Sequence, residues 1–152
     1  MDRSDLLVVF ILDEQRYALR LSAVDRVAPM VHIAPLPKAP DIVLGIVNVQ
    51  GRIIPVVNLR RRFRLPEREI ALSDRLLVAR TTRRPVALAA DAVTGVLECP
   101  AQDVVAPDAI LPGIGHVEGI AKLEGGLILI HNLDKFLSME EEASLDRAMP
   151  AA

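Results

Sequence analysis

The sequence predicts an all-β protein made of two related, barrel-like halves, with a short helix near the C-terminal end. Three observations support this. Short apolar runs, bounded by Asp, Gly, Pro or Asn, recur along the chain as β-strands do. Several runs alternate only weakly between apolar and polar residues, which favours small closed barrels over an open sheet. The third observation is a hairpin-like segment starting at Gly45 that is repeated from Gly119.

The strands follow one another at short intervals. The predicted strands are residues 6–12, 16–21, 44–50, 52–59, 76–82, 86–90, 93–99, 118–123 and 127–131. Proline has no backbone N–H to donate to a sheet, so the proline-rich segment 34–40 is predicted to be a loop. Residues 65–73 and 99–112 are predicted to be the other connectors.

The C-terminal segment has a different pattern. Leu133, Phe136 and Leu137, followed by Leu145 and Met149, recur at helical spacing. We therefore predict one helix over residues 132–149. Asn132 is its predicted N-cap, because an Asn side chain can accept a hydrogen bond from the first helical turn.

The repeat aligns residues 45–63 with residues 119–137 without a gap. Six positions are identical: Gly45/Gly119, Ile46/Ile120, Gly51/Gly125, Ile54/Ile128, Asn58/Asn132 and Leu59/Leu133. Upstream, residues 17–27 align with 86–96, and residues 6–8 with 76–78. We interpret residues 1–152 as one domain of two repeated halves, about 6–64 and 76–137, with a helix and tail at 138–152. Chance similarity between β segments is the less favoured alternative.

Glycines mark the two predicted hairpin tips. Gly51 and the pair Gly125–Gly126 are expected to adopt positive φ, where a Cβ atom would clash.

Composition narrows the class of protein. Apolar residues make up 51% of the chain, but the longest apolar run, residues 6–12, is far shorter than the roughly 20 residues of a transmembrane helix. The net charge is −2 and Trp is absent, which disfavours nucleic-acid binding. Cys99 is the single cysteine and cannot form an internal disulfide. We expect an unprocessed cytoplasmic protein whose partners are proteins.

Residues with catalytic or metal-binding chemistry are scarce. His32, His116 and His131 are isolated from one another and from Cys99, so no metal site is predicted. Nucleophile-elbow and phosphate-loop motifs are missing from the sequence. We therefore expect neither an enzyme nor a cofactor.

One charged segment allows two interpretations. Residues 60–64 read RRRFR. In the first interpretation, Arg60, Arg61 and Arg62 form a basic patch for a phosphate, a nucleic acid or an acidic partner. In the second, favoured interpretation they belong to a short exposed helix, with the cations near its carbonyl end.

The chain resembles the CheW family from about Leu6 to Ala148. The most specific match is the pattern P-x-x-x-x-G-x-x-N-x-x-G-x-x-x-P-V-x-x-L. It is met by Pro40, Gly45, Asn48, Gly51, Pro55, Val56 and Leu59. The length leaves no room for a kinase core or a receiver domain, so the chain is similar to the stand-alone form of the family.

The resemblance implies two packed, five-stranded SH3-like barrels and a non-catalytic scaffold. Such a scaffold couples the cytoplasmic tips of chemoreceptors to the CheW-like regulatory domain of the histidine kinase CheA, at receptor arrays on the membrane. The implied receptor-binding positions are Val24, Val27, Gly45, Gln50, Gly51, Leu76 and Leu77. The implied kinase-binding positions are Val93, Val96, Leu97, Val104 and Ile110.

Two residues depart from the family pattern. Gln50 stands where the family commonly has an arginine that can bind a carboxylate, and Arg26 stands where an acidic residue is frequent. These departures favour a divergent receptor, or a related pathway that serves pili or development.

Overall fold

The computed structural model describes residues 4–106, 117–123 and 126–149. Its strands are β1 (Ser4–Leu12), β2 (Gln15–Arg20), β3 (Val24–Pro29), β4 (Val43–Val49), β5 (Arg52–Val57), β6 (Arg75–Arg80), β7 (Pro85–Ala90), β8 (Ala92–Pro100), β9 (Val104–Val105), β10 (Val117–Leu123) and β11 (Gly126–His131). Helices α1 (Leu59–Arg62) and α2 (Met139–Ala148) and 3₁₀ turns at Leu21–Ala23, Ala101–Asp103 and Leu133–Lys135 complete the described elements.

The predicted all-β fold with a short C-terminal helix is confirmed. Every predicted strand is present, with ends that differ by no more than two residues. Sequence reasoning missed two strands. β3 was interpreted as a bend because Asp25 and Arg26 interrupt its apolar pattern, and β9 has only two residues. None of the described helices is long and apolar enough to span a bilayer.

The strands form two sheets that each curl into a small barrel. Barrel 1 has the order β3-β6-β7-β5-β4, and barrel 2 has the order β8-β1-β2-β11-β10-β9. In barrel 1, Ala34 pairs with Ile46 on β4, only five residues after β3 ends. Those residues span at most about 18 Å, whereas a flat sheet would separate the paired positions by about 24 Å. The sheet must therefore curve back on itself, and β9 closes barrel 2 in the same way.

The two barrels are built by the same sequence of strands. If β1, β2, β3, β4 and β5 are matched with β6, β7, β8, β10 and β11, the order β3-β6-β7-β5-β4 becomes β8-β1-β2-β11-β10. The pairing register matches too: Val24 lies opposite Ala79 in barrel 1, and Val93 lies opposite Phe10 in barrel 2. Each barrel therefore takes its central hairpin, β6–β7 or β1–β2, from the other half of the chain.

This register corrects one part of the sequence alignment. Residues 6–8 had been matched with 76–78, but the sheets match Leu7 with Leu76. Leu7 lies opposite Arg20, and Leu76 lies opposite Ala89. A shift of one residue moves every side chain to the other face of a strand. The division of the chain into halves 6–64 and 76–137 remains an interpretation of the sequence, and the barrels do not coincide with it.

Apolar side chains form three clusters. Two of them fill the barrels: Leu76, Val78 and Ile54 lie in barrel 1, and Leu7 and Ile128 lie in barrel 2. The largest cluster lies between the barrels. It contains Val8, Phe10, Leu19, Leu77, Ala79 and Leu88. Because alternate residues of β1 and β6 enter a barrel and the inter-barrel core, these strands are buried on both faces.

The aromatic residues converge at the inter-barrel core. Tyr17, Phe63 and His131 stack with ring-centroid distances of 4.8 Å between Tyr17 and Phe63 and 4.4 Å between Phe63 and His131. Phe10 stacks on Tyr17, and Phe136 meets Phe63 edge to face. These rings come from both ends of the chain, so their contacts tie the two barrels together.

The prediction of one helix over residues 132–149 is wrong in its extent. Asn132 does cap the turn that follows it, since its side chain accepts from the Asp134 amide, but that turn is a 3₁₀ turn that ends at Lys135. Ser138 then begins α2 with a capping box, in which Ser138 accepts from the Glu141 amide and Glu141 accepts from the Ser138 amide. These reciprocal bonds favour a new helix start over a continuous helix.

Candidate functional site

The β4–β5 hairpin tip is an exposed turn with a defined backbone. Gln50 and Gly51 have φ values of 52° and 84°, as a type I′ turn requires. The Gly51 amide donates to Asn48 Oδ1 at 2.8 Å. The predicted positive φ of Gly51 is confirmed, and Gly126 has φ 130°; Gly125 lies outside the described residues. Gln50 and Gly51 are both exposed, so this tip can contact a partner.

Gly45 is buried and has a structural reason to be glycine. Its φ is 156°, and a Cβ atom there would lie 2.2 Å from the carbonyl oxygen of Ala34. The neighbouring Ile46 exchanges backbone hydrogen bonds with Ala34 at 2.8 and 2.9 Å. Gly45 therefore has a structural role, because it allows barrel 1 to close, and its buried position keeps it from contacting a partner.

Val24 and Val27 lie on the edge strand β3. They are opposite Ala79 and Leu77, whose side chains belong to the inter-barrel core. Opposed residues share a face of a sheet, so both valines lie at the rim of that core. Val24 is half-buried, while Val27 is 44% exposed.

Leu76 and Leu77 require a correction. The resemblance placed both at the receptor surface, but neither has any exposed area. Leu76 fills barrel 1 and Leu77 fills the inter-barrel core, because β6 is covered on both faces. They lie on the strand that pairs with β3 and cannot contact a partner in this conformation.

Strand directions bring three of the predicted receptor positions, Val24, Gln50 and Gly51, to one end of barrel 1. β5 runs parallel to β7, so its first residue, Arg52, lies at the end where β7 begins. β7 begins opposite the end of β6, and the end of β6 lies opposite Val24, the first residue of β3. Val24 and the Gln50–Gly51 tip are therefore at the same end of barrel 1.

The predicted kinase-binding residues lie on barrel 2. Val93 is half-buried against the inter-barrel core, and Leu97 and Val104 are half-buried against the interior of barrel 2. Val96 is 59% exposed. Ile110 lies outside the described residues.

Two of the predicted kinase-binding positions are the structural counterparts of two predicted receptor-binding positions. Under the strand correspondence, Val93 and Val96 are the counterparts of Val24 and Val27. The two predicted contact sites therefore occupy equivalent edge strands.

The arginines after β5 are held by carboxylates. Arg60 lies 2.8 Å from Asp13 and 2.9 Å from Asp91, and Arg68 lies 2.6 Å from Asp91 and 2.7 Å from Asp74. Burial alone would raise the pKa of the Asp91 carboxyl, but hydrogen bonds from the Asp13 amide, Arg60 and Arg68 outweigh it and lower the pKa. The network joins the β1–β2 turn, α1 and the bend before β8, and so fixes one barrel against the other.

The remaining arginines of α1 are also paired. Arg61 lies 2.9 Å from Glu67, and Arg62 lies 2.6 Å from Glu141 on α2. The predicted helix is present, but the favoured interpretation of it as a solvated surface is wrong for Arg60, whose side chain is 11% exposed. Carboxylates already match the charges of Arg60, Arg61 and Arg62, which disfavours the alternative of a phosphate or nucleic-acid patch on them.

Sequence reasoning missed an apolar groove at the opposite end of barrel 1. Its volume is about 570 Å³, and its lining residues are Met30, Val31, His32, Ile33, Leu44, Ile70, Ala71 and Leu72. Leu72 is 90% exposed. Apart from Leu44, which lies on β4, these residues lie in two connectors, where no strand or helix periodicity marks them.

A second, smaller cleft runs between the barrels. Its volume is about 160 Å³, and its lining includes Arg20 and Glu118, two residues of barrel 2 that form an ion pair at 2.5 Å. Among the described residues, no three His, Cys, Asp or Glu side chains are grouped as metal ligands. The exposed edges of β3 and β8, the β4–β5 tip and the apolar groove are suited to protein contacts.

Comparison with known proteins agrees with this architecture. The model of the CheW-like domain matches residues 6–141. The chemotaxis protein CheW of Thermotoga maritima is 31% identical over 84% of this chain and 84% of its own length. That of Treponema pallidum is 27% identical over 92% of this chain and 86% of its own length.

Two further comparisons extend the match. Protein FrzA of Myxococcus xanthus is 27% identical over 76% of this chain and 74% of its own length. The crystal structure of the scaffolding protein TtCheW from Thermoanaerobacter tengcongensis superposes with a TM-score of 0.83 at 29% identity, covering 91% of this chain and 96% of that one. The chain belongs to the CheW-like family.

Proposed function

We propose that this protein is a non-catalytic adaptor that couples chemoreceptor tips to a CheA-type histidine kinase. The observation that carries the proposal is the pair of equivalent edge strands, β3 and β8, each with an exposed valine on one rigid two-barrel body. An adaptor needs two contact sites whose relative position is fixed. The inter-barrel core and the Arg60–Asp91 network supply that rigidity.

In this proposal, barrel 1 takes the receptor and barrel 2 takes the kinase. The receptor side consists of Val24, Val27 and the Gln50–Gly51 tip, and the kinase side is centred on Val96. Interfaces of about 800 Å² per partner are expected for such contacts. The protein would act in the cytoplasm and be recruited to membrane-bound receptor arrays through the receptor.

A related adaptor role in a divergent pathway is the second candidate. Gln50 favours it, since an exposed amide at the hairpin tip cannot form the bidentate, charge-assisted bond that an arginine forms with a carboxylate. The two candidates share the scaffold and differ in the receptor that the tip selects.

A matched pair of variants tests the adaptor function. Val27→Glu and Val96→Glu place the same charge at equivalent positions of the two edge strands. With a purified receptor-tip fragment and the kinase, we expect Val27→Glu to lose receptor binding and keep kinase binding, and Val96→Glu to do the reverse. Sedimentation of each mixture measures both. Wild-type protein that binds neither partner, or variants that lose both together, would contradict the proposal; melting temperatures check that each variant is folded.

A further inference from the structure

Three arginines surround the mouth of barrel 1 beside the Gln50–Gly51 tip. Arg26 lies opposite Val78, which fills barrel 1, and Arg80 follows Val78 by two residues on the same face. Arg52 lies opposite Val49, which packs against the same interior cluster. All three arginines are nevertheless exposed. Interior-facing residues occupy alternate positions along each strand of a barrel. The three arginines occupy such positions and still reach solvent, so they lie at the open end of barrel 1.

Carboxylates within the protein balance this charge only weakly. Arg80 approaches Asp25 at 3.5 Å, with side chains that are 60% and 39% exposed, and such a surface pair contributes little. Among the residues that the structure describes, Arg26 and Arg52 form no ion pair. They differ in this from Arg60 and Arg62, whose carboxylate partners lie within 2.9 Å.

The equivalent mouth of barrel 2 lacks this charge. The counterparts of Arg26, Arg52 and Arg80 are Gly95, Gly126 and Ile11. Within the described part of that mouth the cation is Arg16, whose guanidinium lies 3.8 Å from where a Cβ atom on Gly126 would be. Barrel closure requires no charge at these positions, since barrel 2 closes without it. The arginines of barrel 1 therefore need an explanation outside folding.

We infer that the mouth of barrel 1, through Arg26, Arg52 and Arg80, binds carboxylates on the receptor's cytoplasmic tip. The inference rests on the proposed function and adds the chemistry of the partner: acidic side chains next to apolar ones. The apolar contacts are available close by, since Val27 is 44% and Ile53 is 42% exposed. Guanidinium groups pair with carboxylates in a bidentate geometry, so the mouth supplies the charge that the Gln50 amide lacks.

A nucleic acid is the less suitable occupant of the same mouth. Recognition of single strands depends on aromatic side chains that stack on bases, and the aromatic rings of this protein are used in the inter-barrel core. The exposed apolar residues beside the arginines favour a protein helix that has both carboxylates and apolar side chains.

The test measures binding of a receptor-tip fragment to wild-type protein and to Arg26→Glu and Arg52→Glu. Each reversal is expected to weaken binding about tenfold or more, and raising NaCl from about 50 mM to about 500 mM should weaken the wild-type complex most. The control is Lys122→Glu, which makes the same charge change at an exposed position on β10 of barrel 2. It should bind as wild type does.

Two further probes separate the possible failures. A hexaglutamate peptide titrated into isotopically labelled protein should shift the amide signals of residues 24–26 and 50–52 in the NMR spectrum. Wild-type binding to the receptor fragment that neither salt nor the two reversals affects would overturn the inference and leave the adaptor function standing. Hexaglutamate binding at the mouth without receptor binding would contradict the adaptor function and overturn the inference that the receptor supplies the carboxylates. Tighter binding of short duplex DNA than of the receptor fragment at the same salt would overturn the inference.

Discussion

The two barrels have the same strand order and register but differ where the chain meets solvent. Both have a register shift at the glycine of β4 or β10, Gly45 and Gly119, and both have an Asn cap after the second hairpin strand, Asn58 and Asn132. These shared features meet backbone requirements of the fold. A comparison within one chain therefore separates what a closed barrel needs from what a surface adds.

The differences lie at three places. The mouth of barrel 1 has Arg26, Arg52 and Arg80, while the counterparts in barrel 2 are Gly95, Gly126 and Ile11. After β5 the chain forms the short helix α1, whereas after β11 it forms a 3₁₀ turn and then the longer helix α2. In the bend before β8, Asp91 belongs to an ionic network with Arg60 and Arg68. The equivalent residue before β3 is Ser22. Each difference provides a test.

The largest expected effect distinguishes the two equivalent glycines. Gly45→Ala places a Cβ atom 2.2 Å from a backbone carbonyl at a φ of 156°, whereas Gly119→Ala brings it 2.7 Å from the side chain of Val104. A side chain can move away more easily than the backbone. We expect a loss of about 3 kcal/mol or more in the free energy of unfolding for Gly45→Ala and about 1 kcal/mol for Gly119→Ala. Urea unfolding measures both; equal losses would show that the two closures are under the same constraint.

The next effect concerns the ionic bend. Asp91→Asn is expected to reduce the free energy of unfolding by about 2 kcal/mol at neutral pH, because hydrogen bonds to a charged group are lost. The pKa of Asp91 is lowered in the folded protein. Its contribution is therefore fully present above the ordinary carboxyl pKa and disappears as the pH falls through the folded pKa.

Urea unfolding of wild type and Asp91→Asn between neutral and strongly acidic pH measures this. The two curves should converge in acid, and a difference that is constant with pH would contradict the assignment. The matched control is Ser22→Ala at the equivalent bend of barrel 1, for which we expect no pH-dependent difference from wild type.

An effect of similar size is expected at the β4–β5 tip. A Cβ atom on Gly51 would have nothing within 4 Å, so only its φ of 84° disfavours a side chain. Gly51→Val should cost about 2 kcal/mol, and more than Gly51→Ala, because a β-branched residue tolerates positive φ least. Thermal melts of the two variants measure this order. If both melt at the wild-type temperature, the turn differs from the one described.

The cap of α2 has a weaker influence. Ser138→Ala removes the hydroxyl that accepts from the Glu141 amide and should reduce the free energy of unfolding by about 1 kcal/mol. The equivalent position in the chain that follows β5 is Arg64, which does not begin a helix, so Arg64→Ala is the control and should change stability less. Urea unfolding decides; a larger loss for Arg64→Ala would contradict the role assigned to the capping box.

The smallest stability effect is expected for Gln50→Arg. Gln50 is exposed and has a φ of 52°, so the change should alter the free energy of unfolding by less than about 0.5 kcal/mol. It adds a guanidinium beside the cationic mouth and should tighten binding of the receptor fragment. A large change in melting temperature would place Gln50 in the core, and unchanged receptor affinity would remove the tip from the contact site.

The sequence predicted the fold well because its signals are local. Apolar runs bounded by turn residues located nine strands, and Gly51 located a turn by its need for positive φ. The single helix over 132–149 was wrong because helical spacing does not show where a capping box at Ser138 interrupts it. β3 was missed because an edge strand with Asp25 and Arg26 lacks a continuous apolar run.

The candidate site was harder to predict because it depends on long-range geometry. Apolar residues such as Leu76 and Leu77 can belong to a core or to a contact surface, and the sequence alone does not distinguish the two. Only the closure of the barrels shows that both faces of β6 are covered. Arg60 looked like a free cation because Asp91 is 31 residues away in the chain. The arginines at the mouth became visible only when strand pairing placed Arg26, Arg52 and Arg80 at one end.

Reconstitution of the kinase, the receptor-tip fragment and this protein tests the central claim most directly. The measured quantity is the rate of kinase autophosphorylation. The account predicts that wild-type protein and Lys122→Glu raise the rate when receptor is present, and that Arg52→Glu loses this receptor-dependent increase while still binding the kinase. A rate that does not change when wild-type protein is added, or an Arg52→Glu variant that stimulates as fully as Lys122→Glu, would contradict it.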